Sequence, residues 1–466
     1  MSELSEKKRI SVLNNAVTLD KKHLIVSNTG TLIETFKLLK KHDLETSDDE
    51  LLKALESDKP CTVFNDHFLV LNIGRMDSIE TACAVFERML EKDNWVECQS
   101  CKWNKECPIC INVLLLQKNI KTILERIILL YRRLFEYNVR LTMRQMTGHL
   151  AYAISGGLEC NDVMGMSQTA LINKLNDYLF HNRFFGDDGV NVLPSALQLF
   201  PVRQILREGF GTILEPYFER KAWMQEKAPF IILDNIGLPQ NVIKNVSKGA
   251  DFTARRQLRR LVYFFGQLDN ERGRQFITTF LRSPMLLEYI GLLGTPEGIA
   301  PTKESLFRSR ILQVLQEYFV GVKLPEERQH SSDLYITVGQ GTSSSSAQMV
   351  AVEFRSSDFK LVVEPNYSIG DRQKRMLCLQ LQNGHESIKL DLPFFDYVAR
   401  RYEGEITEEL SPFYADRLER FKVNLMNHYY KTKGKEEQRL RLLMIGTDRK
   451  FKFLKMIIDD NILEVL

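Results

Sequence analysis

Residues 98–112 read CQSCKWNKECPICIN, and Cys98, Cys101, Cys107 and Cys110 follow the spacing C-x2-C-x5-C-x2-C. Two C-x-x-C turns can each present a pair of sulfurs to one tetrahedral centre, so the spacing predicts a metal knuckle. Structural zinc suits four thiolates at a junction between elements, and an iron–sulfur cluster with the same ligands is the alternative. The knuckle divides the chain. Upstream lies a strand-and-helix pattern; downstream come a long helical region and a strand-rich end.

The chain has 466 residues, room for about two to four domains with cores of their own. Apolar residues make up 44% and charged residues 26%, the balance of an ordinary globular protein. The net charge of +3 is too small to announce a nucleic-acid partner by itself, so any such evidence must be local. Eight cysteines are too few for a disulfide scaffold in a chain of this length, and half of them sit in one cluster. That favours a reducing compartment. No run approaches about twenty apolar residues and residues 1–9 are polar, so neither a membrane span nor a secretory signal is predicted and the cytoplasm is the expected location.

Upstream of the cysteines, Leu24-Ile25-Val26 is a short apolar run followed by Ser27-Asn28-Thr29-Gly30, the pattern of a buried parallel strand with a polar tip. A helix follows through Leu32, Ile33, Phe36 and Leu39, with Thr31 as its expected N-cap. In open α/β sheets ligands meet the carboxyl ends of strands, which puts Asn28 where it could touch a nucleotide or a water. The other reading is that Asn28 shapes the turn. Two strands around Asn65-Asp66-His67 read as a hairpin, and residues 77–90 as a helix.

Downstream, residues 111–137 carry a broad apolar helical face. Thr142 then caps a second helix that stops at Gly156-Gly157. Arg144 lies in the first turn of that helix, where positive charge opposes the dipole; this predicts a compensating acidic side chain or anion. Arg255, Arg256, Arg259 and Arg260 fall on one side of a helix and form a candidate nucleic-acid ridge, or else a face paired with carboxylates such as Asp269 and Glu271. After residue 326 the periodicity changes to two, predicting strands over 334–338, 348–354, 360–363, 376–381 and 387–390, a helix over 412–431 and closing strands. The GQGTSSSS run at 339–346 lacks the Gly-Lys-Ser/Thr ending of a phosphate loop and reads as a flexible turn. No nucleophile elbow, zincin helix, nuclease Asp pair or Walker A loop occurs in the sequence.

The order LIVSNTG, a further strand, then LTMRQMTGHLAYAI resembles the latter part of a AAA+ type P-loop ATPase domain. By that resemblance Asn28 matches the sensor 1 residue and Arg144 the sensor 2 arginine, which act on the terminal phosphate by positioning water and stabilising charge. Arg75 or Arg88 would supply the arginine finger from a neighbouring subunit. More narrowly, SNTGTLIETF with CQSCKWNKECPICIN and the LTMRQ helix looks like the ATPase component of bacterial DNA phosphorothioation-dependent restriction systems (DptF-like proteins). The resemblance implies anti-phage defence, partner subunits and DNA as the object of the complex. Walker A and Walker B would lie upstream of Asn28, so ATP and Mg would be held only in a complex completed by a separate P-loop half.

The expected architecture is α+β, mainly α. It comprises a partial α/β (AAA+-like) segment over 1–95, the knuckle over 96–112, a helical lid-like domain over 113–190, a helical domain over 191–325 and a β-rich C-terminal domain over 326–466 with its closing helix. The expected function is an ATPase-derived subunit of a DNA restriction complex. The alternative is a zinc-stabilised DNA- or protein-binding module without enzymatic activity.

Overall fold

The computed structural model describes the chain except for residues 1–3, 19–21, 40–47, 58–59, 76, 189, 212–232, 248–251, 296–297, 322–332, 339–346, 370–371, 406–409, 433–438, 446–450, 460–461 and 466. The GQGTSSSS run and the Lys433-Gly434-Lys435-Glu436 turn thus lie outside the described residues. The protein is α+β and mainly helical, with small antiparallel sheets. Among the described residues no helix is long and apolar enough to cross a membrane.

Helices α1 (Glu6–Thr18), α2 (Thr29–Leu39) and α3 (Asp48–Glu56) and the hairpin β1 (Cys61–Val63) with β2 (Phe68–Val70) share a small apolar cluster of their own, built on Leu13, Phe36, Leu51 and Phe64. Phe64, Asn65 and Asp66 take positive φ at the hairpin, which Asn and Asp tolerate better than most residues. The strand expected at Leu24-Ile25-Val26 is not formed. The segment has no regular structure, and the Leu24 and Val26 side chains are 93% and 70% exposed. An apolar triplet looks the same in sequence whether or not a sheet accepts it, and here the only described sheet of this unit is the two-stranded hairpin.

The main core begins with α4 (Ile79–Met89) and, after the short α5 (Val96–Gln99), continues through α6 (Pro108–Glu136) and α7 (Met143–Ser155). Pro108 at the first helical position and Cys107 before it start α6. Asn119 leaves helical geometry inside it, with its amide donating to the Leu115 and Ile236 carbonyls. The side chain thus carries a kink and ties the helix to a later segment. Thr142 and Gln145 form a reciprocal capping box on α7, and Gly156 ends the helix in the left-handed region. A Cβ at Gly156 would meet the Tyr178 carbonyl at 2.8 Å, so geometry and space both require glycine.

Among the described residues the further helices are α8 (Cys160–Gly165), α9 (Gln168–Lys174), α10 (Phe180–Arg183), α11 (Phe200–Glu208), α12 (Leu233–Ile236), α13 (Gln240–Ser247), α14 (Phe252–Phe265), α15 (Glu271–Phe280), α16 (Leu286–Gly294), α17 (Pro301–Val320), α18 (Leu392–Tyr402) and α19 (Pro412–Thr432). The strands are β3 (Leu334–Val338), β4 (Ala347–Phe354), β5 (Phe359–Ile369), β6 (Arg372–Leu381), β7 (Ser387–Leu390), β8 (Arg439–Ile445), β9 (Phe451–Asp459) and β10 (Ile462–Val465). They form two antiparallel sheets, β10-β9-β8-β4-β3 and β5-β6-β7. One apolar cluster runs from Ile79 on α4 to Leu425 on α19, so the second sheet and the closing helices share a core with the helical middle.

Candidate functional site

Asn28 ends the irregular segment before α2, and its Oδ1 accepts from the Thr31 backbone N–H at 2.8 Å while its carbonyl accepts from Leu32. Asn28, not Thr31, therefore closes the first turn of α2. The turn-shaping reading describes what its side chain does here, and without a strand before it the residue does not stand at a sheet's carboxyl end. Arg75 ends a single 3-10 turn, Ile73–Arg75.

Arg144 is exposed on the first turn of α7, and no acidic side chain among the described residues pairs with it. Its helix is held from several sides. Tyr131 on α6 hydrogen-bonds to His149 Nδ1 at 2.8 Å, and His149 Nε2 donates to the Phe184 carbonyl at 2.8 Å. Asn112, fully buried, donates to the Ile154 and Tyr178 carbonyls and accepts from the Phe180 N–H. The position of Arg144 is thus rigidly specified by the α6–α7 unit, whereas Asn28 belongs to the small N-terminal cluster.

The cysteine segment corrects the metal reading. Among the described residues no three His, Cys, Asp or Glu side chains are arranged to hold a metal ion, so neither the zinc knuckle nor the iron–sulfur alternative stands. The thiols serve the start of α6 instead. Cys107 and Cys110 are buried with Ile109, Val163 and Leu171, while Cys98 and Trp103 pack on them from a partly exposed side. The single S–H of Cys110 is shared toward Cys107, with Cys98 the weaker neighbour. That bond and the N–H groups of Cys110 and Ile109 outweigh burial and bring the Cys107 thiol down to about 6. The donor bond to Cys107 and burial push the Cys110 thiol up. Burial also raises Cys98.

The basic ridge is corrected as well. Arg259 and Arg260 on α14 are 3% and 4% exposed, so they do not face a phosphate backbone. Arg260 makes two 2.7 Å hydrogen bonds to the Asp187 carboxylate, in the paired geometry that suits guanidinium. Arg256 approaches the same carboxylate at 3.9 Å and donates to the Val190 carbonyl; Arg255 is only partly exposed. The helix spends its charge inward.

The sequence reading missed the partner of that charge. Asp187 lies in the loop Phe184-Phe185-Gly186-Asp187-Asp188, whose Gly186 takes φ +77 with Val202 and Ala196 against its α-carbon. Beside it, His181 is fully buried with no hydrogen-bond partner for either ring nitrogen among the described residues, and burial followed by the Arg260 charge pushes it down to about 3. A Gly-Asp step next to aromatic residues was the available signal, and four arginines 68–73 residues later were its complement. No family model, curated protein or solved structure matches the chain.

Proposed function

We propose that the chain is an ATPase-derived subunit of a DNA restriction or anti-phage defence complex, one that presents Arg144 to a nucleotide phosphate held by a separate P-loop-bearing partner. The observation that carries this reading is the placement of Arg144. It is exposed, lies in the first turn of a capped and well-anchored helix, and has no acidic partner among the described residues. A cation held there without local neutralisation opposes the helix dipole and gains from an incoming anion. The motif order around SNTGTLIETF, CQSCKWNKECPICIN and LTMRQ adds the restriction-system context.

In this reading the chain contributes a charge to phosphoryl transfer and surfaces to the assembly, and the partner contributes the phosphate cradle and the magnesium-holding acid. DNA is engaged by the complex; the buried Arg259 and Arg260 of α14 are not its contact. The test is reconstitution with the polypeptide encoded immediately upstream, provided that it carries G-x-x-x-x-G-K-S/T. Arg144→Ala should lower the turnover of ATP by the complex by about 10-fold or more with assembly intact. Unchanged turnover in an assembled complex would sink the proposal.

A further inference from the structure

The positive charge of the chain is gathered in one place. Residues 431–455 hold nine Lys or Arg and three Asp or Glu, an excess of six, whereas the whole chain has a net charge of only +3. Everything outside that segment is therefore net acidic. The described part of the segment is the end of α19 and the hairpin β8–β9. In the ladder Arg441 stands directly opposite Lys455, and Lys452 lies three residues before Lys455 on the same strand, roughly 10 Å away. Like charges directly opposite across an antiparallel pair repel. Glu353 on β4 answers Arg441, but Lys452 and Lys455 are exposed and have no acidic partner among the described residues. β10 pairs only with Met456 to Asp459, so around the two lysines β9 has β8 as its single described neighbour. Edge protection accounts for a lysine on such a strand, but not for an excess of six charges. Phe453 between the lysines turns to the core, 4.7 Å from the Tyr335 ring and packed with Val320 and Leu443. At 452 and 455 the strand thus offers ammonium groups without the aromatic anchor that a lipid surface would take up, which favours a regularly spaced polyanion as partner.

We infer that the outer edge of β9 docks on the phosphate backbone of duplex DNA through Lys452 and Lys455, with Arg441 beside them adding to the local field. Such contacts release counterions and hold the duplex without reading its sequence. The net acidic remainder of the chain turns this face, and not another, toward a polyanion. The inference rests on the DNA part of the function proposed above and names the share of it that this chain carries. Arg144 takes no part in it.

The experiment uses the full chain alone, without nucleotide or partner, and follows the fluorescence anisotropy of a labelled mixed-sequence DNA duplex from about 50 to 200 mM salt. The wild type should bind with an affinity that falls steeply with salt. Lys452→Ala combined with Lys455→Ala should weaken binding by about 10-fold or more and lower the slope of log K against log salt by about 2. Both side chains are exposed, and circular dichroism with the urea midpoint checks that the variant folds. The same exchange at exposed Lys174 and Lys303, outside the segment, should change neither quantity. No binding by the wild type, equal binding by the folded double variant, an equal loss in the control pair, or retention on phosphatidylserine vesicles without binding to DNA would each overturn the assignment. Turnover is not read in this measurement, so a failed Arg144 test leaves its result standing, and the reverse holds as well.

Discussion

The N-terminal unit and the main helical core solve the same problem differently. The first holds α2 against its hairpin mainly by apolar packing, the Phe36 ring lying 4.9 Å from Phe64 and 5.2 Å, edge-on, from Phe68, while Glu50 accepts from the Phe64 N–H and Asn72 donates to the Leu55 carbonyl to tie the hairpin to α3. It leaves Leu24, Val26, Leu69 and Ile73 largely in water. The second buries more polar groups and ties several of them down on more than one side: Asn112 across three segments, His149 between α6 and a loop, and Asp396 receiving Tyr137, Ser283 and the Met285 N–H, while His181 is left without a hydrogen bond among the described residues. Apolar packing tolerates alternative arrangements, whereas a buried donor or acceptor costs about 1–3 kcal/mol when misplaced. Asn112, His149 and Asp396 therefore fix register in the main core, whereas the N-terminal unit relies more on apolar packing.

The sharpest way to break that contrast is to remove one polar partner from the core. Asp187→Ala leaves the Arg260 guanidinium buried beside Arg256 with its paired carboxylate gone. Loss of one member of a buried ion pair costs about 3–5 kcal/mol, so the variant should show a large fall in urea midpoint with unchanged m-value. A loss below about 1 kcal/mol would place the pair in water, contrary to its burial.

Acid titrates the same core. Burial pushes His149 down to about 4 from an ordinary value of 6.5, with the Phe184 carbonyl bond partly opposing the shift. The unfolded chain thus binds a proton between those values when the folded chain does not, and stability rises with pH there. The contribution is fully present above about pH 6.5 and is lost as pH falls through about 4; it amounts to something on the order of 3 kcal/mol. His181 adds in the same direction, starting from the same value of 6.5 and continuing down to about 3. Urea midpoints at pH 7 and 4.5 should fall with acid in the wild type and fall less in His149→Gln; equal slopes would remove His149 from the account.

Much of this was legible. The caps at Thr142 and Gly156, the hairpin around Asn65 and Asp66, and the strands from Leu334 to Leu390 follow from local rules, because cap and turn chemistry acts within a few residues. The helix α18 was not read, since Leu392-Pro393 after a strand looks like a turn until Asp391 is seen to cap it by accepting from the Phe394 N–H. What local rules could not give was environment. Arg260 looks like a surface charge until Asp187, 73 residues away, is placed against it, and the thiols look like ligands because spacing does not state where sulfurs point. The strand at Leu24 failed for the same reason: a sheet is a property of its neighbours.

A local rule can be tested on its own scale. Thr142→Ala removes the side chain that accepts from the Gln145 N–H and half of the reciprocal cap. It should cost about 1 kcal/mol by chemical denaturation, less than the core changes because the site is exposed and water replaces part of the bond. Thr142→Asn should restore most of it; no difference between Ala and Asn would mean that the cap contributes nothing to α7.

The smallest effect tests the leftover surface. Leu24 and Val26 lie in water, so replacing Leu24 with Ser should change stability by less than about 0.5 kcal/mol. The same substitution at Phe36, which is buried between Phe64 and Phe68, should cost about 3 kcal/mol or more, so the pair separates the unit's core from its surface. A Leu24→Ser loss above about 1 kcal/mol would mean that the triplet is buried in the intact protein. The apolar run would then belong to the core of the N-terminal unit together with Ile25, which already packs on it.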